Sequence, residues 1–182
     1  RSTEKAEDLR RAGVEPVVID MFDAAAVKRA LAAARPDVVI HQLTDLPQEM
    51  TPAAMEAARP RNARLREEVT PMLLRAAQAA GASRAIVQSI AFAYVEGPLP
   101  HAEADPISLP SIRALEEATL TTAGVHGIVL RYGRLWGPGT WVERPDGLIT
   151  PLHVDAAAHA AWLALRHGRA GIYNIAEDDD SV

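Results

Sequence analysis

Leu130-Arg-Tyr-Gly-Arg-Leu-Trp-Gly-Pro-Gly-Thr-Trp141 is the stretch that decides the fold. It continues an apolar run that starts at Gly127, and it stops at the turn Gly137-Pro138-Gly139. The run is continuous rather than alternating, which is how a strand buried on both faces of a parallel sheet reads. Downstream, His153-Val-Asp155 opens an amphipathic helix over 156–166, and Gly171-Ile-Tyr-Asn-Ile-Ala176 reads as a closing strand.

The same grammar holds upstream. Pro16-Val-Val-Ile-Asp20 and Asp37-Val-Val-Ile-His41 are short apolar runs, predicted as strands over 15–20 and 37–42. Between them Ala24–Ala34 has apolar residues at helical spacing, with Asp23 placed as its N-cap. A longer helix is predicted from about Asn62 to Ala80, with Gly81 at the C-cap position. Arg84–Ser89 reads as a strand, Ile112–Thr122 as a helix and Gly127–Tyr132 as a strand. Strands alternating with helices define an α/β class: a doubly wound, Rossmann-like parallel sheet in three layers. Gly97–Ser111, with four prolines, is a loop long enough to carry function.

Composition bounds the rest. A chain of 182 residues, 48% hydrophobic, suits one domain with one sizeable core. The formal charge of −5 argues against nucleic acid as a partner. With no cysteine, thiol nucleophiles and thiolate metal sites are excluded. No stretch reaches the length of a membrane span, and Arg1–Lys5 has no signal-peptide core, so a cytoplasmic protein without a membrane partner is expected. The acidic run Glu177–Asp180 reads as a solvated tail, and no histidine or carboxylate spacing predicts a metal site.

Several of these segments together resemble the extended short-chain dehydrogenase/reductases, the NAD-dependent epimerase/dehydratase family. Asp20-Met-Phe-Asp23 is similar to the Asp-x-x-Asp that follows the third strand, which implies that Asp20 and the Met21 amide meet adenine. His41-Gln-Leu-Thr44 resembles the end of the fourth strand and implies cofactor contacts at Gln42, Leu43 and Thr44. Asn62 and Val69–Leu74 are similar to the family's long helix. Gln88-Ser-Ile-Ala91 resembles the end of the fifth strand, with Ser89 at the catalytic serine. The Leu130–Gly139 stretch is similar to the family's Leu-Arg…Gly-Pro-Gly, which implies that Tyr132, Gly133 and Arg134 border the nicotinamide. His153-Val-Asp155 is similar to the segment that tethers a small substrate lobe, here expected around 134–182.

Two family signatures have no match. No Gly-x-Gly-x-x-Gly loop occurs, and the family places that loop after its first strand. By resemblance Arg1 and Ser2 fall just after the second strand, so a βαβ segment ahead of Arg1 is expected, without which the strands at 15–20 and 37–42 do not pair directly. Arg1 and Ser2 themselves are expected to hold a 2′-phosphate, which leaves NADP or NAD as the cofactor. The second signature is the Tyr-x-x-x-Lys pair. The chain's two lysines, Lys5 and Lys28, have no tyrosine four residues before them, and the matched positions hold Leu109 and Arg113. Leucine carries no proton, whereas Arg113 retains hydrogen bonding to a ribose.

The expected function is therefore NAD(P)-dependent hydride transfer on a small, sugar-like substrate, with Ser89 and Tyr94 as catalytic candidates. His101 is a further candidate in the proline-rich loop, while His41, His153 and His159 read as structural. A non-catalytic NAD(P)-binding sensor or scaffold is the alternative, and a homodimer is left open. The Ser89 hydroxyl is expected to face a cleft floored by Tyr132–Arg134.

Overall fold

The structure is a computed structural model, and it describes residues 3–47 and 49–177. In chain order the elements are α1 (Thr3–Arg11), α2 (Ala24–Ala34), β1 (Val38–His41), α3 (Pro52–Arg64) and α4 (Thr70–Ala79), then β2 (Arg84–Ile90), α5 (Pro110–Thr121) and β3 (His126–Tyr132). They are followed by β4 (Arg134–Trp136), β5 (Pro151–His153), α6 (Val154–His167) and β6 (Gly171–Ile175). Strands β1, β2, β3 and β6 form one sheet in that order, and every pair is parallel.

Alternation along the strands sorts the core into two layers. Ile86, Ile128, Leu130 and Tyr132 face α6 at Ala157 and Ala164. Ala85 and Val87 face the other way, onto Leu74 of α4 and Leu115 of α5. The expected three-layer α/β sandwich is the fold observed. Asp23 caps α2 as expected, its carboxylate accepting from the amides of Ala25 and Ala26.

Three elements differ from expectation. Pro16–Asp20 joins no ladder, and Val17 and Val18 are exposed. An apolar run becomes a strand only where another backbone satisfies its N–H and C=O groups, and β1, the edge of the sheet, is not paired with it. The long helix begins at Pro52 rather than near Asn62, because Thr51 caps it (Ala54 N–H to Thr51 Oγ1, 3.2 Å) and Pro52 suits the first turn. Between α3 and α4 the helix widens into a π-turn over Leu65–Val69. Finally, residues 134–177 contribute to two sheets. β4 and β5 make a separate parallel pair, while α6 and β6 belong to the main sandwich.

Candidate functional site

Ligands of open α/β sheets lie beyond the carboxyl ends of the strands. There, the segment after Pro16 and the segment after β1 enclose a cleft of about 750 Å³. It is lined by Asp20, Met21, Gln42, Leu43 and Thr44, all expected there, and by Val17, Ile19, Phe22, Asp45, Arg61 and Leu65. The walls mix apolar side chains with the carboxylates of Asp20 and Asp45 and the Arg61 guanidinium. One oxygen of the Asp20 carboxylate accepts from Phe22 N–H at 3.0 Å, which fixes the turn. Apolar side chains at Val17, Ile19, Phe22 and Leu43, edged by the Asp20 acceptor and a backbone amide, fit a flat amino-substituted heteroaromatic ring, and this is the end of a dinucleotide that the residues present can hold.

The cleft wall is pinned from behind. Asn62 Oδ1 accepts from Asp45 N–H (2.8 Å), and its amide donates to the Asp45 carbonyl (3.0 Å). Arg61 pairs with the Asp45 carboxylate at 2.7 Å. Arg61, which no sequence motif singles out, stands at the cleft on the helix that Thr51 caps and Pro52 opens. His41 is buried at the end of β1. Its Nδ1 accepts from Leu43 N–H (3.1 Å), so Nε2 carries the proton and donates to Thr70 Oγ1 (2.9 Å). Thr70 in turn donates to the Leu65 carbonyl at 3.2 Å, in the π-turn.

Burial lowers the His41 pKa from 6.5 to about 4. Between those values the unfolded chain binds a proton that the folded chain refuses. Stability is therefore complete above pH 6.5 and declines as the pH falls towards 4, by about 3 kcal/mol from this group. His41→Gln should remove that part of the slope. Urea midpoints of both proteins at pH 7, 5.5 and 4 test it, and a wild-type–variant difference that does not change with pH contradicts it.

The catalytic expectations fare differently. Ser89 lies on the β2 face that turns to α5, and it is 2% exposed. Its hydroxyl donates to Glu116 Oε1 at 2.7 Å. This corrects the expected orientation: residues 85, 87 and 89 share the α4/α5 face, so Ser89 lies under the helix and not over the cleft. In this arrangement the Ser89 hydroxyl reaches a substrate only by giving up Glu116.

Ser89 belongs to a rung that crosses three strands, Ser89–Arg131–Asn174 in register. Arg131 meets Glu116 through two bonds (Nε to Oε1 2.8 Å, Nη2 to Oε2 2.7 Å), and both side chains are buried. Arg131 Nη1 also donates to Tyr94 Oη (2.8 Å) and to the Glu103 carbonyl (3.0 Å). Tyr94 donates to Asn174 Oδ1 at 2.5 Å and stacks on His101. Asn174 N–H donates to Glu103 Oε1 (2.9 Å), and its amide donates to the His101 carbonyl (3.2 Å). The proline-rich loop is thus docked onto the sheet by a polar network. The Tyr94 hydroxyl is used on both sides, so it reaches a substrate only by giving up Asn174.

The remaining expected contacts are spread along the carboxyl edge. Tyr132 is buried, and its hydroxyl donates to the Ala157 carbonyl at 3.0 Å. Burial raises its pKa, and the neighbouring Gln42 amide opposes the rise. Gly133 and Arg134 form the turn into β4. Arg113, in the first turn of α5, donates to the Ile107 carbonyl at 3.3 Å and is not part of the cleft. Arg1 and Ser2 lie outside the described residues. Among the described residues no cluster of His, Asp or Glu is arranged to hold a metal ion, and no helix is long and apolar enough to cross a membrane.

A parallel sheet with a cleft beyond the carboxyl end of its edge strand is the arrangement of a dinucleotide-binding domain of Rossmann type. The model of the NAD(P)H-binding family matches residues 1–136, and the chain belongs to that family. It is 40% identical over 179 aligned residues to the 3-diazoavenalumate denitrifying reductase of a Streptomyces species. That alignment takes in 91% of this chain and 56% of the relative, so the chain spans a little over half of the relative's length. Among solved structures it is similar to WbmG of Bordetella bronchiseptica, in complex with NAD and UDP (TM-score 0.72, 20% identity, 91% of this chain and 58% of that one). It is also similar to the UDP-glucose 4-epimerase of Thermotoga maritima (TM-score 0.72, 19% identity, 96% and 66%). At this identity the structural likenesses establish the fold.

Proposed function

We propose that the protein is an NAD(P)H-dependent reductase of a small diazo-bearing organic acid. The observation that carries the proposal is the set of groups at the proton-transfer positions. Oxidising or epimerising a sugar carbinol requires a base for the hydroxyl proton. Leu109 and Arg113 stand where the family's Tyr and Lys were matched, Ser89 is held by Glu116, and the Tyr94 hydroxyl is held by Arg131 and Asn174. Loss of dinitrogen needs no such base. When bound, NAD(P)H supplies a hydride that replaces dinitrogen (R–N2⁺ + NAD(P)H → R–H + N2 + NAD(P)⁺), and atoms and charge close without a proton from the protein. The relative that is 40% identical is named a denitrifying reductase of a diazo compound, which supports this reading over a sugar substrate.

In this proposal the chain's residues bind and orient. Asp20 and the Met21 amide take the adenine edge, and Gln42, Leu43 and Thr44 wall the ribose side. Tyr132–Arg134 border the reacting end. The test supplies 3-diazoavenalumate with NADPH or NADH deuterated at the transferable position. Deuterium in the product, dinitrogen release, and no label from heavy water are the expected results. Label entering from solvent, or turnover of UDP-glucose instead, overturns it. A second reading, a non-catalytic NAD(P) sensor, is favoured by the burial of Ser89. It takes over if NADPH binds and neither substrate reacts.

A further inference from the structure

Arginines stand along the whole carboxyl edge of the sheet, and all but one of those near the strand ends are engaged. Arg61 is paired with Asp45 and Arg131 with Glu116, while Arg113 donates to a carbonyl. Arg134 is different. It is exposed, follows β3 directly, and holds its guanidinium carbon 4.1 Å from the centroid of the Phe92 ring. Phe92 follows β2 and is 38% exposed. Among the described residues no carboxylate or carbonyl accepts from the Arg134 side chain.

The launch point of this cation is rigid. Gly133 N–H donates to the Ile175 carbonyl (2.9 Å), and Arg134 N–H donates to the Thr150 carbonyl (2.7 Å). A guanidinium held over an aromatic face keeps its N–H edges clear of the ring, where a planar anion can accept two parallel bonds. β2 lies next to β1 in the sheet and β3 next to β2, and the cleft lies beyond β1. An extended dinucleotide leaving that cleft along the strand ends would bring its reacting end towards Phe92 and Arg134.

We propose that Phe92 and Arg134 anchor the carboxylate of a planar, conjugated organic acid and thereby choose the substrate. The proposal rests on the reductase reading and adds the substrate class. One guanidinium with no acidic partner among the described residues balances one carboxylate. A diphosphate carries more charge than that, and the nearby cations Arg61 and Arg131 are already neutralised by Asp45 and Glu116. The exposed ring of Phe92 offers flat apolar surface beside the cation, which suits a conjugated chain better than a saturated sugar.

The test measures binding of trans-cinnamate, trans-cinnamamide and UDP by calorimetry, with and without NADP⁺. NADPH binding is followed separately by nucleotide fluorescence. Cinnamate should bind at least about tenfold more tightly than its amide. Arg134→Gln should erase that difference, Arg134→Lys should restore part of it, and Phe92→Leu should weaken the acid and the amide alike. Equal affinities for acid and amide, or an Arg134→Gln variant that still discriminates, overturn the proposal. Arg134-dependent binding of UDP in preference to cinnamate overturns the carboxylate assignment. Failure of NADPH to bind counts against the reductase reading instead, while discrimination between cinnamate and its amide without NADP⁺ still judges the anchor.

Discussion

Glu116→Ala should destabilise the fold by about 3–5 kcal/mol, because it leaves the Arg131 guanidinium buried without a counter-charge. Arg131 is 3% exposed and Glu116 6%, and the two bonds between them are 2.8 and 2.7 Å. Relaxation into water is blocked on one side by the sheet and on the other by α5. The same change removes the acceptor of the Ser89 hydroxyl. Such a loss is a large fraction of the total stability of a domain this size. Urea unfolding at pH 7 measures it, and a loss under about 1 kcal/mol would mean that Arg131 finds water. Glu116→Gln, which keeps an acceptor, should fall between. Ser89→Ala should cost about 1 kcal/mol and leave turnover intact, the reverse of what a catalytic serine would show.

Gly133→Ala should have the second large effect. A Cβ on Gly133 would lie 2.4 Å from the Thr150 carbonyl oxygen and 3.2 Å from that of Pro151. Both are backbone atoms, so the β4–β5 pair must shift as a unit rather than one side chain rotating away. Thr150 already has a positive φ of 56°, which leaves that strand little room to adapt. Overpacking of this kind costs about 1–3 kcal/mol. The turn that launches Arg134 would move with it, so cinnamate affinity should drop even at temperatures where the variant is folded. A variant with the wild-type melting temperature and unchanged cinnamate affinity would show that the turn is not rigid.

The legible parts of the chain were those set by local pattern. Continuous apolar runs named β1, β2 and β3 to within a residue or two, since a strand buried on both faces has no polar alternation to confuse it. Asp23 before an alanine-rich segment named the start of α2, and the resemblance of Asp20–Asp23 and His41–Thr44 to the family's strand ends named five of the residues that line the cleft. Pro16–Asp20 shows the limit of the same logic. Its pattern is that of a strand, yet pairing requires a neighbouring backbone at the right distance, and pattern alone does not supply one.

Ser89 marks the boundary most sharply. The sequence by itself determined that a serine ends β2, that an arginine sits in the apolar run of β3, and that no Tyr-x-x-x-Lys pair occurs among these residues. Only the tertiary structure decided that Ser89, Arg131 and Asn174 fall on one rung, that Glu116 of α5 closes over them, and that Arg134 stands against Phe92 with no carboxylate partner among the described residues. Strand register and helix placement bring together residues tens of positions apart, and the electrostatics of burial then select which charges pair and which remain for a ligand. Both are properties of packing, and a local pattern holds no record of them.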